Sequence, residues 1–316
     1  MKISAVVPVF NSEESLPELV ERLEGALALA ADAYELILVN DGSPDGSWKA
    51  IEALARRHPN VRGFNLSRNF GQHNALLCGV RAARYETVVT LDDDLQNPPE
   101  ELPRLLAALN EHDVVYGVPA KMQHGLFRNM ASRLTKFTLR TSMGVKSAPD
   151  VSAFRVFRRD IRDAFVDFRG SYVSLDVLLT WGTTNFGSVT VAHDERKYGR
   201  SNYTLRKLVV HAINMTTGFS TLPLRLASLI GFAFTLFGIA VLIYVIGRFV
   251  LSGLQSIPGF PFLASIIAIF AGAQLFALGI IGEYLARVYT RTMERPTYAV
   301  RQSTDKLDAN RVAASG

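Results

Sequence analysis

Over residues 1 to 120, short apolar runs alternate with segments whose apolar residues recur at helical spacing. Runs such as ISAVVPVF and LILVN are apolar at nearly every position, which is typical of parallel strands buried on both faces. The segments between them, such as LPELVERLEGALALA, have the period of amphipathic helices. Repeated strand–helix units with short connections predict an α/β fold with a doubly wound, mostly parallel sheet.

The pattern changes after Leu222. Two runs, 226–246 and 262–281, contain no formal charge and are each long enough to cross the hydrocarbon core of a bilayer. Lys and Arg residues flank the outer ends of this pair, so the positive-inside rule places both ends in the cytoplasm. The sequence therefore predicts a multi-pass membrane protein whose α/β domain is cytoplasmic.

The same patterns predict the domain organisation. We expect an α/β domain over 1–205, a juxtamembrane helix over 206–222, two transmembrane helices within 223–287 and a cytoplasmic tail over 288–316. The tail is polar after Val300, and we expect it to be disordered. A basic amphipathic pattern near 125–142 predicts a helix on an anionic membrane surface, and an ordinary surface helix is the alternative.

The net charge, the single cysteine and two glycines limit the classes of partner and of cross-link that the sequence favours. The net charge of +5 suits anionic partners, but the basic residues concentrate near the membrane elements and no nucleic-acid motif is present, so we expect no nucleic-acid partner. A single cysteine, Cys78, excludes a disulfide framework. Gly272 and Gly279 in the second uncharged run would allow close helix packing, so a homo-oligomer stays open.

An acidic cluster follows the fourth predicted strand, in the stretch VVTLDDDLQNPPEEL. Ligands of doubly wound sheets bind beyond the carboxyl ends of the strands, and adjacent carboxylates at such an edge suit Mg²⁺ or Mn²⁺. If the strand continued, Asp92 and Asp94 would share one face and Asp93 the other, with Gln96 as a further oxygen ligand. The residues from Asn97 to Glu101 have the pattern of a helix start.

Four motifs in order resemble family 2 glycosyltransferases: VVPVFNSEES, LVNDGSPDGS, LSRNFGQHNALLCG and LDDDLQNPPEELPRLL. Within that family, the chain resembles the bacterial polyprenyl-phosphate glycosyltransferases, relatives of dolichyl-phosphate mannose synthase. The likeness extends over the two spans and GEYLARVYTRTMERPTY, and it is greatest to the undecaprenyl-phosphate 4-deoxy-4-formamido-L-arabinose transferases. This resemblance implies a GT-A-like nucleotide-sugar domain at the bacterial inner membrane.

The resemblance also implies site residues. The nucleotide sugar would be bordered by Pro8, Phe10, Asn11, Glu13, Asp41, Asp92 and Asp93. Asp92, Asp94 and Gln96 would hold Mg²⁺ or Mn²⁺, and the catalytic candidates are Asp94, Asp150 and Arg155. The acceptor phosphate would meet Arg196, Lys197, Arg200, Ser201 and Tyr203. For Asp41, a turn residue is the alternative; for Arg155 and Arg196, the alternative is a solvated surface charge.

Four positions depart from the family pattern. Asp93 stands where relatives usually have a small residue, so it would either shift the metal site or face solvent. Asn40 replaces an acid, Asn202 replaces a frequent Lys, and Ala153 replaces a polar residue. If the family base lies at Ala153, this chain lacks it.

The implied reaction is an inverting transfer of a sugar from a nucleoside diphosphate, with UDP favoured, to undecaprenyl or another polyprenyl phosphate. The lipid-linked product would serve cell-envelope glycan or lipid A modification. The alternatives are a processive membrane polysaccharide synthase and a non-catalytic nucleotide-binding membrane scaffold. Against the synthase, the chain has no Q-x-x-R-W motif and only two spans; against the scaffold, it retains the acidic metal motif. A dinucleotide oxidoreductase is disfavoured because no G-x-G-x-x-G follows the first strand.

Overall fold

The computed structural model describes residues 1–119, 151–170, 173–194, 222–251, 259–293 and 295–305. These residues form two units. One is an α/β unit that combines the described residues up to 194 with those from 295 onward. The other is a helical unit that contains the two long helices between them.

The α/β unit begins with the strand–helix alternation that the sequence predicts. Its first half contains β1 (Lys2–Val9), α1 (Leu16–Ala30), β2 (Ala33–Asn40), α2 (Ser47–Arg57), β3 (Val61–Leu66), α3 (Gln72–Ala82) and β4 (Thr87–Thr90). A 3₁₀ turn (Pro99–Glu101) leads into α4 (Leu102–Ala108) and β5 (Val114–Pro119). The second half contains β6 (Arg155–Arg158), a 3₁₀ segment (Arg159–Ala164), α5 (Leu175–Gly182), β7 (Phe186–Val191) and β8 (Val300–Ser303).

The described strands form one mixed, mostly parallel sheet in the order β7-β5-β6-β4-β1-β2-β3-β8. β1 pairs in parallel with both β2 and β4, β2 with β3, and β5 with β7. β6 lies antiparallel between β4 and β5, and β8 lies antiparallel on β3. The α/β architecture is confirmed. The antiparallel strands β6 and β8 are additions that the apolar pattern does not predict, because both contain arginine and pair with strands that are distant in the sequence.

The core explains why the strands contain few polar residues. β1 and β2 are buried along nearly their whole length, and α1 covers one face of the sheet with leucines on a single stripe, including Leu16, Leu19 and Leu23. On α3, a Cβ at Gly79 would lie 2.3 Å from a methyl group of Val6, so glycine allows this helix to pack tightly on β1. The parallel pairing of β1 with β2 and β4 places the carboxyl ends of these strands along one edge of the sheet.

The tail after Val300 differs from the prediction of disorder, which is wrong for residues 300 to 305. β8 adds to the edge of the sheet, and the Thr304 hydroxyl accepts a hydrogen bond from Gly63 N at 2.8 Å. Asp305 accepts one from Arg62 Nε at 2.8 Å, and Arg62 also contacts the buried Glu35 at 2.6 Å. The tail looked disordered because its residues are polar, but its order comes from backbone pairing and ion pairs with a distant strand.

The helical unit contains α6 (Leu222–Leu251) and α7 (Phe260–Thr292), which include the two uncharged runs. Their most apolar windows have mean hydropathies of 2.0 and 1.6, and those windows are almost entirely exposed. A core helix of a soluble protein would bury such residues, so a lipid environment is the better explanation. The two helices contact each other through Phe234 and Phe270, whose ring centroids lie 5.9 Å apart. They are two candidate membrane-spanning helices.

Several predicted elements lie outside the described residues. These are the amphipathic helix near 125–142, the juxtamembrane helix predicted over 206–222 except for Leu222, where α6 begins, and the tail beyond 305. Each stays a prediction from the sequence.

Candidate active site

A cleft of about 870 Å³ lies at the carboxyl ends of the parallel strands. Loops after β1, β2, β3 and β4 line it, together with the start of β6 and of α5. The lining includes all seven predicted nucleotide-sugar residues, namely Pro8, Phe10, Asn11, Glu13, Asp41, Asp92 and Asp93, as well as Asp94 and Arg155. The sheet therefore brings together residues that are more than 140 positions apart in the sequence.

The loop after β1 is held by hydroxyl groups of the next loop. Asn11 N donates to Ser43 Oγ at 3.1 Å, and Ser12 N donates to Ser47 Oγ at 3.0 Å. Asn11 has a φ of 57°, a left-handed conformation that asparagine tolerates better than most residues. Phe10, just before this turn, is 38% exposed at the cleft. An exposed aromatic ring on a fixed turn is suited to stacking against a planar base.

Glu13 joins the same two loops from its other side. Its carboxylate Oε2 accepts a hydrogen bond from Gly46 N at 2.9 Å, and its own N–H donates to Asp45 Oδ2 at 3.3 Å. A Cβ at Gly46 would lie within 2.4 Å of this carboxylate, so the close approach requires glycine. Glu13 thus has a structural role in shaping the cleft, besides any contact with a ligand.

Asp41 is buried at the end of β2, with only 3% of its surface exposed. Its two carboxylate oxygens accept the backbone N–H groups of Phe70 and Gly71 at 2.7 and 2.8 Å. Burial raises the pKa of the Asp41 carboxyl, and these two hydrogen bonds oppose part of the increase. Asp41 therefore anchors the loop after β3, and each oxygen keeps a second lone pair that could accept a hydrogen bond from a ligand.

Asn40, where the family pattern has an acid, makes neutral contacts. Its Nδ2 donates to Asn65 Oδ1 at 2.8 Å, and its Oδ1 accepts from Ser43 Oγ at 2.5 Å. The amide thereby links the ends of β2 and β3 and supports the serine that holds Asn11. A carboxylate could accept the serine hydrogen bond, but it could not donate to Asn65.

The acidic cluster lies in a loop, because β4 ends at Thr90. Alternation of faces along a strand therefore does not apply to the three aspartates. Asp92 Oδ1 accepts from Gln72 Nε2 at 2.6 Å, and Asp94 Oδ1 accepts from Gln96 N at 3.1 Å. All three aspartates line the cleft, whereas Gln96 is not among the residues that line it.

Asp93 is partly buried, and its carboxylate is hydrogen-bonded to the loop after β1. Its Oδ2 accepts from Phe10 N at 3.0 Å and from the Ser12 hydroxyl, and its carbonyl accepts from Ser15 Oγ at 2.9 Å. Burial raises the pKa of its carboxyl; Ser12 and the Phe10 N–H oppose this effect, and the neighbouring Asp94 adds to it. Asp93 ties the acidic loop to the loop after β1.

Arg155, at the start of β6, is buried below the cleft with 2% of its surface exposed. Its Nε donates to Thr90 Oγ1 at 2.9 Å, and its Nη1 donates to Asp176 Oδ1. Tyr116 donates its hydroxyl to the same Asp176 oxygen at 3.1 Å. Burial and the negative charge of Asp176 raise the pKa of Tyr116 well above its usual value, so its hydroxyl stays protonated and can donate. Arg155 is therefore not a solvated surface charge.

No role for Asp176, Tyr116 or Thr90 follows from the sequence pattern. Asp176 occupies the first turn of α5, where an acid is common as a helix-start residue, and this hid its position at the cleft. Thr90 also donates its hydroxyl to the Ala153 carbonyl at 2.9 Å. At position 153 the backbone thus supplies a polar contact that the alanine side chain cannot.

The carboxylates of the cleft fit a divalent cation that also binds a ligand. In the part of the chain that the structure describes, no group of three or more His, Cys, Asp or Glu side chains is arranged to hold a metal ion. Mg²⁺ and Mn²⁺ sites often use one or two carboxylates and complete the coordination with substrate phosphates and water. Asp92 and Asp94, two hard oxygen donors on one loop, suit a site of that kind.

The remaining predicted residues lie outside the described part of the chain. They are Asp150 and the acceptor candidates Arg196, Lys197, Arg200, Ser201 and Tyr203.

The chain is similar in sequence to a known family model and to two named relatives. The sequence profile described as Glycosyl transferase family 2 matches residues 4–165. The chain is 36% identical, over 304 residues, to the undecaprenyl-phosphate 4-deoxy-4-formamido-L-arabinose transferases of Yersinia pestis (strain Pestoides F) and Yersinia pseudotuberculosis serotype O:3 (strain YPIII). The match covers 95% of this chain and 93% of each relative.

Solved structures support the fold. The glucosyl-3-phosphoglycerate synthase of Mycobacterium tuberculosis, in complex with Mn²⁺ and UDP-glucose, is similar with a TM-score of 0.51 and 19% identity, covering 68% of this chain and 77% of that one. The same enzyme with Mn²⁺, UDP and phosphoglyceric acid gives a TM-score of 0.50 with 16% identity, covering 68% and 76%. At this identity the likeness establishes the GT-A-like fold alone.

Proposed function

The chain belongs to glycosyl transferase family 2, and from that membership we propose that it transfers a sugar from a nucleoside diphosphate, favouring UDP, to undecaprenyl phosphate. The observation that carries the proposal is the cleft at the strand ends, which combines an aromatic ring, a carboxylate loop and a buried arginine. The identity with the Yersinia transferases over nearly the whole chain, spans included, supports a polyprenyl phosphate as the acceptor.

The nucleotide would occupy the side of the cleft formed by the loops after β1, β2 and β3. Phe10 offers a face for the base, and Asp41 offers an acceptor for a pyrimidine N–H. The diphosphate would lie toward the acidic loop. Asp92 and Asp94 would hold Mg²⁺ or Mn²⁺ there, and the bound cation would neutralise negative charge that develops on the leaving nucleoside diphosphate.

The reaction proposed is a single in-line displacement. An oxygen of the acceptor phosphate forms a bond to the anomeric carbon, while the bond from that carbon to the diphosphate oxygen breaks and its electron pair leaves with the nucleotide. A phosphate monoester has a second pKa near 6, so the acceptor is mostly dianionic at neutral pH and needs little help from a base. The product should therefore have the inverted anomeric configuration.

The location proposed is the bacterial inner membrane, with the α/β unit in the cytoplasm. Arg and Lys residues flank the helical pair on its outer sides, as the positive-inside rule requires. The strand β8, which follows α7, pairs in the same sheet as the strands that precede α6. Both ends of the helical pair thus lead into one folded unit, which fits two crossings. An acceptor phosphate at the headgroup level would then be reached from the cytoplasmic side.

The proposal is tested by incubating the purified full-length protein with undecaprenyl phosphate and a panel of nucleotide sugars, with Mg²⁺, Mn²⁺ or chelator. Mass spectrometry should detect one sugar per lipid from at least one donor, and only with metal. Chains of several sugars would favour a polysaccharide synthase instead. Nucleotide binding without any glycolipid across the panel would favour a non-catalytic scaffold.

A further inference from the structure

The buried arginine of the cleft is held by residues from three different elements. Nε contacts Thr90 at the end of β4, and Nη1 contacts Asp176 in the first turn of α5. Tyr116 of β5 donates to the same oxygen of Asp176 that Nη1 contacts. Arg155 and Asp176 both line the cleft, although they are only 2% and 7% exposed.

These contacts fix the direction of the guanidinium group. A guanidinium has five N–H donors in one rigid plane, so anchoring Nε and one Nη group sets where the others point. The anchors are themselves directional. Thr90 donates its proton to Ala153 O and so presents a lone pair to Nε, while Tyr116 donates to Asp176. Free rotation of the arginine would break at least two hydrogen bonds.

We propose that Asp176 is a positioning residue that holds the Arg155 guanidinium at the wall of the cleft, so that its remaining N–H groups contact a phosphate oxygen of a bound substrate. The proposal rests on the function proposed above. The phosphate belongs either to the acceptor lipid or to the donor diphosphate, and both present the same anionic oxygens to a planar N–H donor. Asp176 acts through Arg155 and does not itself contact the reacting atoms.

The direction in which substrate affinity changes in the Asp176→Asn variant separates a positioning role from a simple effect of charge. Asp176 places a negative charge beside a cleft that binds anionic substrates. If only its charge mattered, the Asp176→Asn variant would bind those substrates more tightly, because a repulsive charge is removed. If it positions Arg155, the variant binds them more weakly, because the neutral amide oxygen holds the guanidinium with a weaker hydrogen bond than the carboxylate does. A purely structural role would lower stability and leave the KM values unchanged.

The test measures kcat and both KM values for the full-length wild-type protein and for Asp176→Asn, with the exposed Asp163→Asn as the matched control. We expect Asp176→Asn to lower kcat/KM about 3- to 10-fold, because the guanidinium exchanges a charge-assisted hydrogen bond for a neutral one that is roughly half as strong. The KM that rises identifies the source of the phosphate: the acceptor KM for the lipid, the donor KM for the nucleotide sugar. Asp163→Asn should match the wild type.

Tyr116→Phe provides a second variant, since it removes one hydrogen bond to Asp176 and keeps the ring. It should raise the same KM about two- to tenfold, and it decides the matter if Asp176→Asn does not fold. Unchanged or lowered KM values in a folded variant would overturn the positioning role. If the wild type itself transfers no sugar, the proposed function fails. Calorimetry then compares the affinities of the wild type and the variant for UDP and for farnesyl phosphate. Weaker binding by the variant supports the positioning role, and unchanged or tighter binding overturns it.

Discussion

The Asp41→Asn variant tests whether one buried carboxylate organises the nucleotide side of the cleft. Both of its oxygens accept backbone N–H groups of the loop after β3, from Phe70 at 2.7 Å and from Gly71 at 2.8 Å. Asparagine can accept only one of these, because its second position is an NH₂ group that donates. One backbone N–H is then buried opposite another donor.

The expected cost follows from those contacts. A hydrogen bond to a charged group contributes about 1.5–3 kcal/mol, and the neutral amide regains part of that because it no longer buries a charge. We therefore expect the free energy of unfolding to fall by about 2 kcal/mol, which lowers the midpoint of thermal unfolding by about 4–8 °C for a domain of this size. Asp45→Asn, on the adjacent loop, is the control and should shift the midpoint much less, because Asp45 accepts longer hydrogen bonds of 3.1 and 3.3 Å.

The pH dependence gives an independent check. Because the pKa of Asp41 is raised above 3.8, the folded protein binds more protons there than the unfolded chain between 3.8 and the raised pKa. The contribution of Asp41 to the stability of the wild type therefore falls as the pH rises through that window, and Asp41→Asn must lack this contribution. Thermal midpoints measured from pH 3.5 to 7 check it. A difference between the two proteins that does not change with pH would refute the assignment to Asp41.

Nucleotide binding separates the two roles of Asp41. If it only anchors the loop, the variant should lose affinity for UDP and CDP by similar factors. If it also accepts the uracil N–H, the loss should be larger for UDP. Calorimetry with both nucleotides makes the comparison, and unchanged affinity for both would contradict either role.

Three further substitutions test other parts of the account. Gly42→Ala should destabilise the protein, since φ is +64° and the new Cβ would lie 2.4 Å from the backbone carbon of Arg68; an unchanged thermal midpoint would contradict this. Arg62→Met should lower the free energy of unfolding by about 3–5 kcal/mol, because it leaves a buried carboxylate without its cation; chemical denaturation measures the change, and a loss below about 1 kcal/mol would contradict it. Gln72→Ala should raise the Mn²⁺ concentration that gives half-maximal activity, because Asp92 loses its 2.6 Å contact; an unchanged metal titration would argue against Asp92 as a ligand.

The sequence predicts the parts of the fold that repeat a simple pattern. The alternation of apolar strands and amphipathic helices extends through β5, and the two uncharged runs lie within α6 and α7. It does not predict β6 or β8. Each is short and contains arginine, and each is stabilised by pairing with a strand far away in the sequence. Local periodicity contains no information about such long-range pairing.

For the cleft, the sequence predicts which residues line it. It does not predict the hydrogen bonds and ion pairs that these residues form with one another. Asp93 had no explanation from its neighbours in sequence, since its partners are Phe10 and Ser12, more than 80 residues away. Asp176 and Arg155 lie 21 positions apart in the sequence, and only the folded chain brings their side chains into contact. An acid in the first turn of a helix that follows an arginine-bearing strand is the one local signal that could have suggested the pair.

The measurement that tests the central claim most directly is the metal-dependent formation of a single-sugar undecaprenyl lipid by the wild type and by Asp94→Asn, side by side. The wild type should form a glycolipid of inverted anomeric configuration with Mn²⁺ or Mg²⁺. The variant should lose this activity by at least about 100-fold, with its thermal midpoint within a few degrees of the wild type. Glycolipid formation that survives both Asp94→Asn and chelation, or a product that retains the donor's anomeric configuration, would contradict the account.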